Sequence, residues 1–265
     1  MTRFTVNLSI MFTELPLLER PAAARTAGME ACEFWWPFAT PVPSDTEVDA
    51  FVSAVTDAGL QLTGLNFAAG DMPNGDRGLL SSPRDSAAFR DNIDVAVGIA
   101  NRLGCKAFNA LYGNRIDGVA PEAQDELAAE NLALAASAAS IHDAVVLVEA
   151  VNSIENPRYP LTSSSSVIEV LDTVGQSNLK VLADFYHLAR MGENPDEVLS
   201  QHFDRIGQVQ IADVPGRGEP GSGTFDFAAL FDDLDTRGYS GWVGLEYKPT
   251  TASADSLRWM EKHRN

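Results

Sequence analysis

Two stretches, Ala144-Val-Val-Leu-Val-Glu-Ala150 and Lys180-Val-Leu-Ala-Asp184, decide how this chain folds. Each is a short and nearly continuous apolar run, which is typical of a parallel strand buried on both faces. Each also carries a carboxylate near its end, Glu149 in the first run and Asp184 in the second. Because an amphipathic helical pattern separates the two runs, they predict a strand–helix–strand unit with acidic groups at one edge.

The same unit recurs along the whole chain. The predicted strands are Phe4–Leu8, Ala31–Trp35, Gln61–Phe67, Ala107–Leu111, Ala144–Ala150, Lys180–Asp184, Gly207–Ala212 and Trp242–Glu246. Helical patterns lie between them, and no linker or composition break divides the 265 residues, so we expect one domain over residues 1–265. Eight such units predict an α/β fold, a single closed (β/α)₈ TIM barrel. The chain has no glycine-rich dinucleotide or P-loop motif, which disfavours an open nucleotide-binding sheet.

The charge balance limits the partners of this protein. The chain has 37 acidic and 19 basic residues, giving a net charge of −18. Nucleic acid and anionic membranes need a positive surface, so we expect neither as a partner. The N-terminus lacks the pattern of a secretory signal, and Cys32 and Cys105 lack metal-ligand spacing. These features indicate reduced thiols and a cytoplasmic protein.

Polar residues stand at the ends of four consecutive predicted strands: Glu149, Asp184, Gln210 and Glu246. In a barrel these ends converge at the carboxyl-terminal mouth, where barrel enzymes carry their chemistry. A buried carboxylate is costly unless it is paired or bound to a metal. An arginine partner would explain any one of these residues. Three carboxylates and an amide oxygen together favour a hard divalent cation, Mg²⁺ or Mn²⁺, over zinc.

Other polar residues are candidates to line the site. Asn7, Glu33 and Asn66 lie near strand ends on the opposite side of the predicted barrel. Arg217 lies in a glycine-rich loop, whose backbone amides would approach a ligand closely, and its guanidinium suits a substrate carboxylate. Lys248 would add positive charge at the mouth. The alternative for Arg217 and Lys248 is ordinary exposure to solvent.

Six motifs carry a family resemblance: NLSIMFTELPLLER, EFWWPF, VEAVN, ADFYH, VQIADVPGRGEPGSG and GWVGLEYKP. Together they resemble the hydroxypyruvate isomerase family of xylose-isomerase-like barrels, over essentially the whole chain. The resemblance implies that Glu149, Asp184, Gln210 and Glu246 bind the metal and that Glu149 and Glu246 form the acid/base pair. Similarity to sugar epimerases of this fold implies that His187 and Arg217 contact substrate oxygens.

The implied substrate is a short sugar acid, with hydroxypyruvate converted to 2-hydroxy-3-oxopropanoate (tartronate semialdehyde) through an enediolate. A divalent cation would stabilise the enediolate charge, and the two glutamates would move the proton. The sequence leaves open which glutamate acts first and whether the chain forms a homo-oligomer. It also leaves open a 2-oxo-tetronate isomerase, a sugar epimerase and a non-catalytic sugar-acid binder. The barrel's metal-dependent endonucleases are disfavoured, because they use histidine-rich sites and basic surfaces.

Overall fold

The fold is a closed barrel of eight parallel strands in sequence order, in which the last strand pairs with the first. The computed structural model describes residues 2–263. The strands are β1 (Arg3–Asn7), β2 (Ala31–Phe34), β3 (Gln61–Asn66), β4 (Ala107–Asn109), β5 (Val145–Glu149), β6 (Leu179–Asp184), β7 (Ile206–Ile211) and β8 (Trp242–Leu245). The predicted (β/α)₈ barrel is therefore confirmed.

Helices surround the barrel. They are α1 (Arg20–Thr26), α2 (Asp45–Ala58), α3 (Ser86–Leu103), α4 (Pro121–Ser140), α5 (Ser164–Val174), α6 (Phe185–Arg190), α7 (Pro195–His202), α8 (Phe227–Thr236) and α9 (Ser253–Ser256). Short 3₁₀ helices lie at Leu17–Glu19, Met72–Asn74, Phe203–Arg205 and Arg258–His263. Among these described residues, no helix is both long and apolar enough to span a membrane.

Local sequence signals explain several helix ends. The Ser44 side chain caps α2 by accepting from the Glu47 backbone, and the Glu47 carboxylate binds back to the Ser44 amide. Pro21 lies in the first turn of α1, where its missing N–H leaves no bond unmade. Helix α6 was not anticipated: it follows β6 directly, because the Asp184 carboxylate accepts from the Tyr186 amide at 2.8 Å.

Strand register aligns the polar strand ends at one rim of the barrel. Asp184 pairs with Gln210 between β6 and β7, and Asn66 pairs with Asn109 between β3 and β4. Below this rim, most strand residues are buried and apolar. The buried polar exceptions lie inside the barrel. The barrel wall therefore brings the four predicted metal ligands to one end without any contribution from the helices.

Candidate active site

A compact group of titratable side chains lies at the carboxyl-terminal mouth of the barrel. Glu149, Asp184, His187 and Glu246 each offer one ligand atom, and these atoms lie within 4.8 Å of one another. All four residues are buried. Strands β5, β6 and β8 supply the carboxylates, and α6 supplies the histidine.

The three carboxylates repel one another in this buried setting. Burial, followed by the charges of Glu246 and Asp184, raises the pKa of Glu149 well above its ordinary value. Burial also raises the pKa of Asp184 to about 7, although Arg217 opposes this and Glu246 adds to it. A cation bound among these oxygens would reverse this repulsion and keep the carboxylates ionised.

Among the predicted ligands, two buried oxygens accept no hydrogen bond from any residue in the described range: Asp184 Oδ2 and Gln210 Oε1. The Gln210 amide is oriented by its other end, because its Nε2 donates to Glu33 Oε1 at 2.6 Å. A carbonyl oxygen and a carboxylate oxygen without donors are suitable ligands for a hard divalent cation. The predicted ligands Glu149, Asp184, Gln210 and Glu246 therefore fit such an ion.

His187 lies beside this oxygen group, with Nε2 at 3.6 Å from Asp184 Oδ2 and 3.8 Å from Glu149 Oε1. Its Nδ1 lies 3.3 Å from the backbone nitrogen of Asn152, which must donate, and 2.7 Å from Asn152 Nδ2. Nδ1 is therefore an acceptor, and Nε2 carries the proton. Burial, Arg217 and Arg77 lower the pKa of His187 well below its ordinary value. The neutral ring presents an N–H donor, which suits a substrate oxygen better than a metal ion.

Neutral donors from strands β1 and β4, and from Trp35 just after β2, hold one oxygen of each glutamate. Asn109 Nδ2 donates to Glu149 Oε2 at 2.8 Å. Asn7 Nδ2 and Trp35 Nε1 donate to Glu246 Oε1 at 2.9 and 2.7 Å. These donors orient one oxygen of each glutamate, and the second oxygen of Glu246 contacts Arg217 Nη2.

Glu33 lies in a buried layer of hydrogen-bonded side chains beneath these residues. Its carboxylate accepts from Gln210, from Gln208 by a short hydrogen bond, and from Asn7 at 3.4 Å. Burial and then the charge of Glu246 raise the pKa of Glu33 to about 8. Gly244 leaves space for this layer, since a Cβ there would lie 2.6 Å from Glu33 Oε1. Glu33 and Asn7 were expected to line the substrate cavity; they lie below it, and Asn7 donates from there to Glu246 in the cavity wall.

A cavity of about 830 Å³ opens above the carboxylates. Of the predicted substrate residues, Asn66, His187, Arg217 and Lys248 line it, together with Glu149 and Glu246. An aromatic wall is formed by Trp35, Trp36 and Phe38. Arg20 and Arg77 also line the cavity and were not anticipated.

The glycine-rich loop that carries Arg217 is folded around the buried carboxylate of Asp213. Arg217 itself has a positive φ of 57°, and its Nη2 lies 2.5 Å from Glu246 Oε2 and 3.7 Å from Asp184 Oδ2. Asp213 accepts four backbone N–H groups at 2.8–2.9 Å, from Val214, Gly221, Gly223 and Phe225. Asp213 therefore occupies two of the glycine amides that were expected to approach a ligand, those of Gly221 and Gly223.

A closed barrel with oxygen donors gathered at its strand ends defines a class of proteins whose active sites can hold a metal ion. The chain belongs to the xylose isomerase-like TIM barrel family, whose sequence profile matches residues 21–263. It is similar to a Streptomyces coelicolor protein provisionally named a hydroxypyruvate isomerase, with 56% identity over 97% of this chain and 95% of the relative. The hydroxypyruvate isomerase of Escherichia coli is 36% identical over the full length of both chains.

Other relatives carry different names. The 2-oxo-tetronate isomerase of Cupriavidus necator is 36% identical over 99% of each chain. A crystal structure titled as a family 2 AP endonuclease from Brucella melitensis superposes with a TM-score of 0.91 and 32% identity, covering both chains completely. The isomerase relatives match the chain from end to end, so this protein is an isomerase of the sugar-acid group.

Proposed function

We propose that this isomerase interconverts hydroxypyruvate and 2-hydroxy-3-oxopropanoate, with Mg²⁺ or Mn²⁺ as its cofactor. The observation that carries the proposal is the meeting of Glu149 and Glu246, from strands three positions apart, in one buried group with Asp184 and His187. Two carboxylates that reach one small volume supply both a base and an acid. The relatives named hydroxypyruvate isomerase support the substrate class.

Glu149, Asp184, Gln210 and Glu246 are the residues that would hold the cation. When bound, the cation supplies Lewis-acid polarisation of the substrate oxygens and stabilises the negative charge that develops on them. The donors Asn7, Trp35 and Asn109 keep two of the ligand carboxylates aimed at this point. Such support from surrounding groups is a general requirement of metal sites.

The reaction takes a proton from the carbon that bears the hydroxyl group and returns one to the neighbouring carbonyl carbon. The hydroxyl proton meanwhile moves to the former carbonyl oxygen. In this proposal one of Glu149 and Glu246 removes the carbon-bound proton, and the other donates to the adjacent carbon. His187 donates its Nε2 hydrogen to a substrate oxygen, and because the ring is neutral it adds no positive charge.

A second candidate substrate is 2-oxo-tetronate, which has one more carbon. The cavity of about 830 Å³ is large enough for the longer acid, and relatives of that name match the whole chain. Both acids have the same carboxylate and adjacent carbonyl, so the same residues would serve either reaction.

The test is isomerisation in deuterated water with Mg²⁺ present, followed by proton NMR. We expect solvent deuterium on the new carbon–hydrogen bond of the product and the highest kcat/KM with hydroxypyruvate among hydroxypyruvate, 2-oxo-tetronate and dihydroxyacetone. A higher value with 2-oxo-tetronate would favour the second candidate. Binding of both acids without deuterium incorporation would identify a binding protein instead of this catalyst.

We also propose a cytoplasmic location. The two cysteines, Cys32 and Cys105, are buried free thiols, as expected in a reducing compartment. Cell fractionation with an antibody against the protein tests this directly, and recovery outside the cytoplasmic fraction would contradict it.

A further inference from the structure

Arg77 lines the active-site cavity and has no part in the proton transfers described above. It lies in the loop between β3 and α3, and its side chain is half-buried. Within residues 2–263 its guanidinium makes no ion pair. A half-buried arginine that faces the active-site cavity and contacts no carboxylate is available to bind an anion.

The side chain of Arg77 is held in place by neutral acceptors. Its Nε donates to Asn156 Oδ1 at 2.5 Å, and its Nη1 donates to the backbone oxygens of Met72 and Asp76 at 2.9 and 2.6 Å. Nη2 makes no hydrogen bond to the part of the chain that the structure describes. The guanidinium is thus oriented but its charge is not neutralised by contact.

The backbone at Arg77 is equally constrained. The carbonyl of Arg77 accepts from the Gly113 amide at 2.9 Å, which ties this loop to the end of β4. Gly78 has a φ of +113°, and a Cβ there would lie 1.9 Å from the Leu111 oxygen, so only glycine fits. Arg77 is therefore presented by a rigid loop, as a residue that selects a substrate must be.

The two arginines of the cavity differ in their partners. Arg217 contacts Glu246 at 2.5 Å and lies 3.7 Å from Asp184, so carboxylates of the chain offset its charge. Arg77 has no such contact, and burial followed by the like charge of Arg217 lowers its pKa, although the charges of Asp76 and Glu155 oppose this. Both arginines line the cavity together with His187, and their charges lower the pKa of that histidine. An anion beside Arg77 would relieve this concentration of positive charge.

We propose that Arg77 binds the substrate carboxylate and thereby selects sugar acids over neutral sugars. The inference rests on the proposed function, since it concerns the same cavity and the same class of substrate. It gives Arg217 a different role, in which the guanidinium stays with Glu246 and faces the substrate's reacting oxygens. The carboxylate is shared by hydroxypyruvate and 2-oxo-tetronate, so the inference holds for either acid.

The test compares KM and kcat for hydroxypyruvate in the wild-type metal-loaded enzyme and in Arg77→Gln. Loss of a hydrogen-bonded charge pair predicts an increase in KM of about 10- to 100-fold, with a smaller effect on kcat. Arg77→Lys keeps the charge without the planar fork, so it should recover part of the loss. Mn²⁺ affinity, measured separately, should stay within about twofold, because Arg77 contacts no proposed ligand.

Arg20→Gln is the matched control, because Arg20 lines the same cavity, is half-buried and also donates to backbone oxygens. An equal rise in KM in this control, or a KM in Arg77→Gln within about threefold of wild type, would overturn the role of Arg77. If Arg77→Gln does not fold, an unchanged KM in Arg77→Lys overturns it instead. Failure of the wild-type enzyme on every 2-oxo acid would reject the proposed function itself, and this inference with it.

Discussion

The two halves of the barrel mouth have opposite chemical character. Strands β5 to β8 end in three carboxylates and one amide, Glu149, Asp184, Gln210 and Glu246. Strands β1, β3 and β4 end in neutral side chains, Asn7, Asn66 and Asn109, while the carboxylate of Glu33 at the end of β2 lies beside Asn7 in the layer beneath the cavity. Strands β5 to β8 thus supply negative charge, and strands β1 to β4 supply hydrogen-bond donors that orient the charged side chains.

This difference explains why amides and an indole hold the glutamates. Arg217 already pairs with Glu246 Oε2, and a further arginine or lysine at Asn7 or Asn109 would compete with the metal for the remaining carboxylate oxygens. A neutral donor orients one oxygen and leaves the net negative charge for the cation. One set of strands therefore carries the charged groups, and the other set carries most of the neutral groups that orient them.

Removing the metal should produce the largest effect, because it takes away the ion on which the acidic half depends. Exhaustive chelation should abolish measurable isomerisation, and Mg²⁺ or Mn²⁺ should restore it. The measurement is hydroxypyruvate turnover alongside metal content by mass spectrometry. Full turnover by protein without bound metal would show that the carboxylates work unaided.

Changing one carboxylate of the acidic half should have the next largest effect. Glu149→Gln and Glu246→Gln each keep an oxygen ligand but lose the base, so kcat should fall roughly 10²–10⁴-fold. Glu126→Gln, at an exposed position on α4, is the matched control and should behave like wild type. Wild-type turnover in either site variant, with metal bound, would remove that glutamate from the acid/base pair.

A change in the neutral half should have a smaller effect. Asn109→Leu removes the donor to Glu149 at similar volume, and loss of such support typically costs about 10- to 100-fold in metal affinity or activity. Asn101→Ala, at an exposed position of α3, is the control. If Asn109→Leu binds Mn²⁺ and turns over substrate as the wild type does, the neutral half does not orient the acidic one.

The sequence was sufficient for the barrel and for the acidic half of its mouth. Apolar runs bounded by turn residues located all eight strands, and a carboxylate within such a run stands out because burial makes it costly. Asn109 was missed, although it ends β4 as Asn7 ends β1 and Asn66 ends β3. That repeated position was the available signal.

The remaining site residues depend on contacts between distant loops. Asn152 acts by hydrogen bonding to the His187 ring, and Asp213 acts by accepting from backbone amides. Arg77 faces the cavity because the loops after β3 and β4 are joined by a hydrogen bond. No local pattern encodes these contacts. The sequence correctly places Glu33 at the end of its strand, but it does not predict that the side chain lies below the cavity. A register shift between Cys32 and Glu33 in the pairing with β3 interrupts the regular alternation there.

The Asp213-centred loop has a consequence for the entropy of substrate binding. Four N–H groups bound to one carboxylate close residues 213–225 into a ring of hydrogen bonds, and the left-handed backbone of Arg217 lies within it. Conformational freedom in this segment is lost when the chain folds, not when substrate arrives. Substrate binding then bears little ordering cost from the loop, and more of the contact free energy with Arg217 remains for affinity and catalysis.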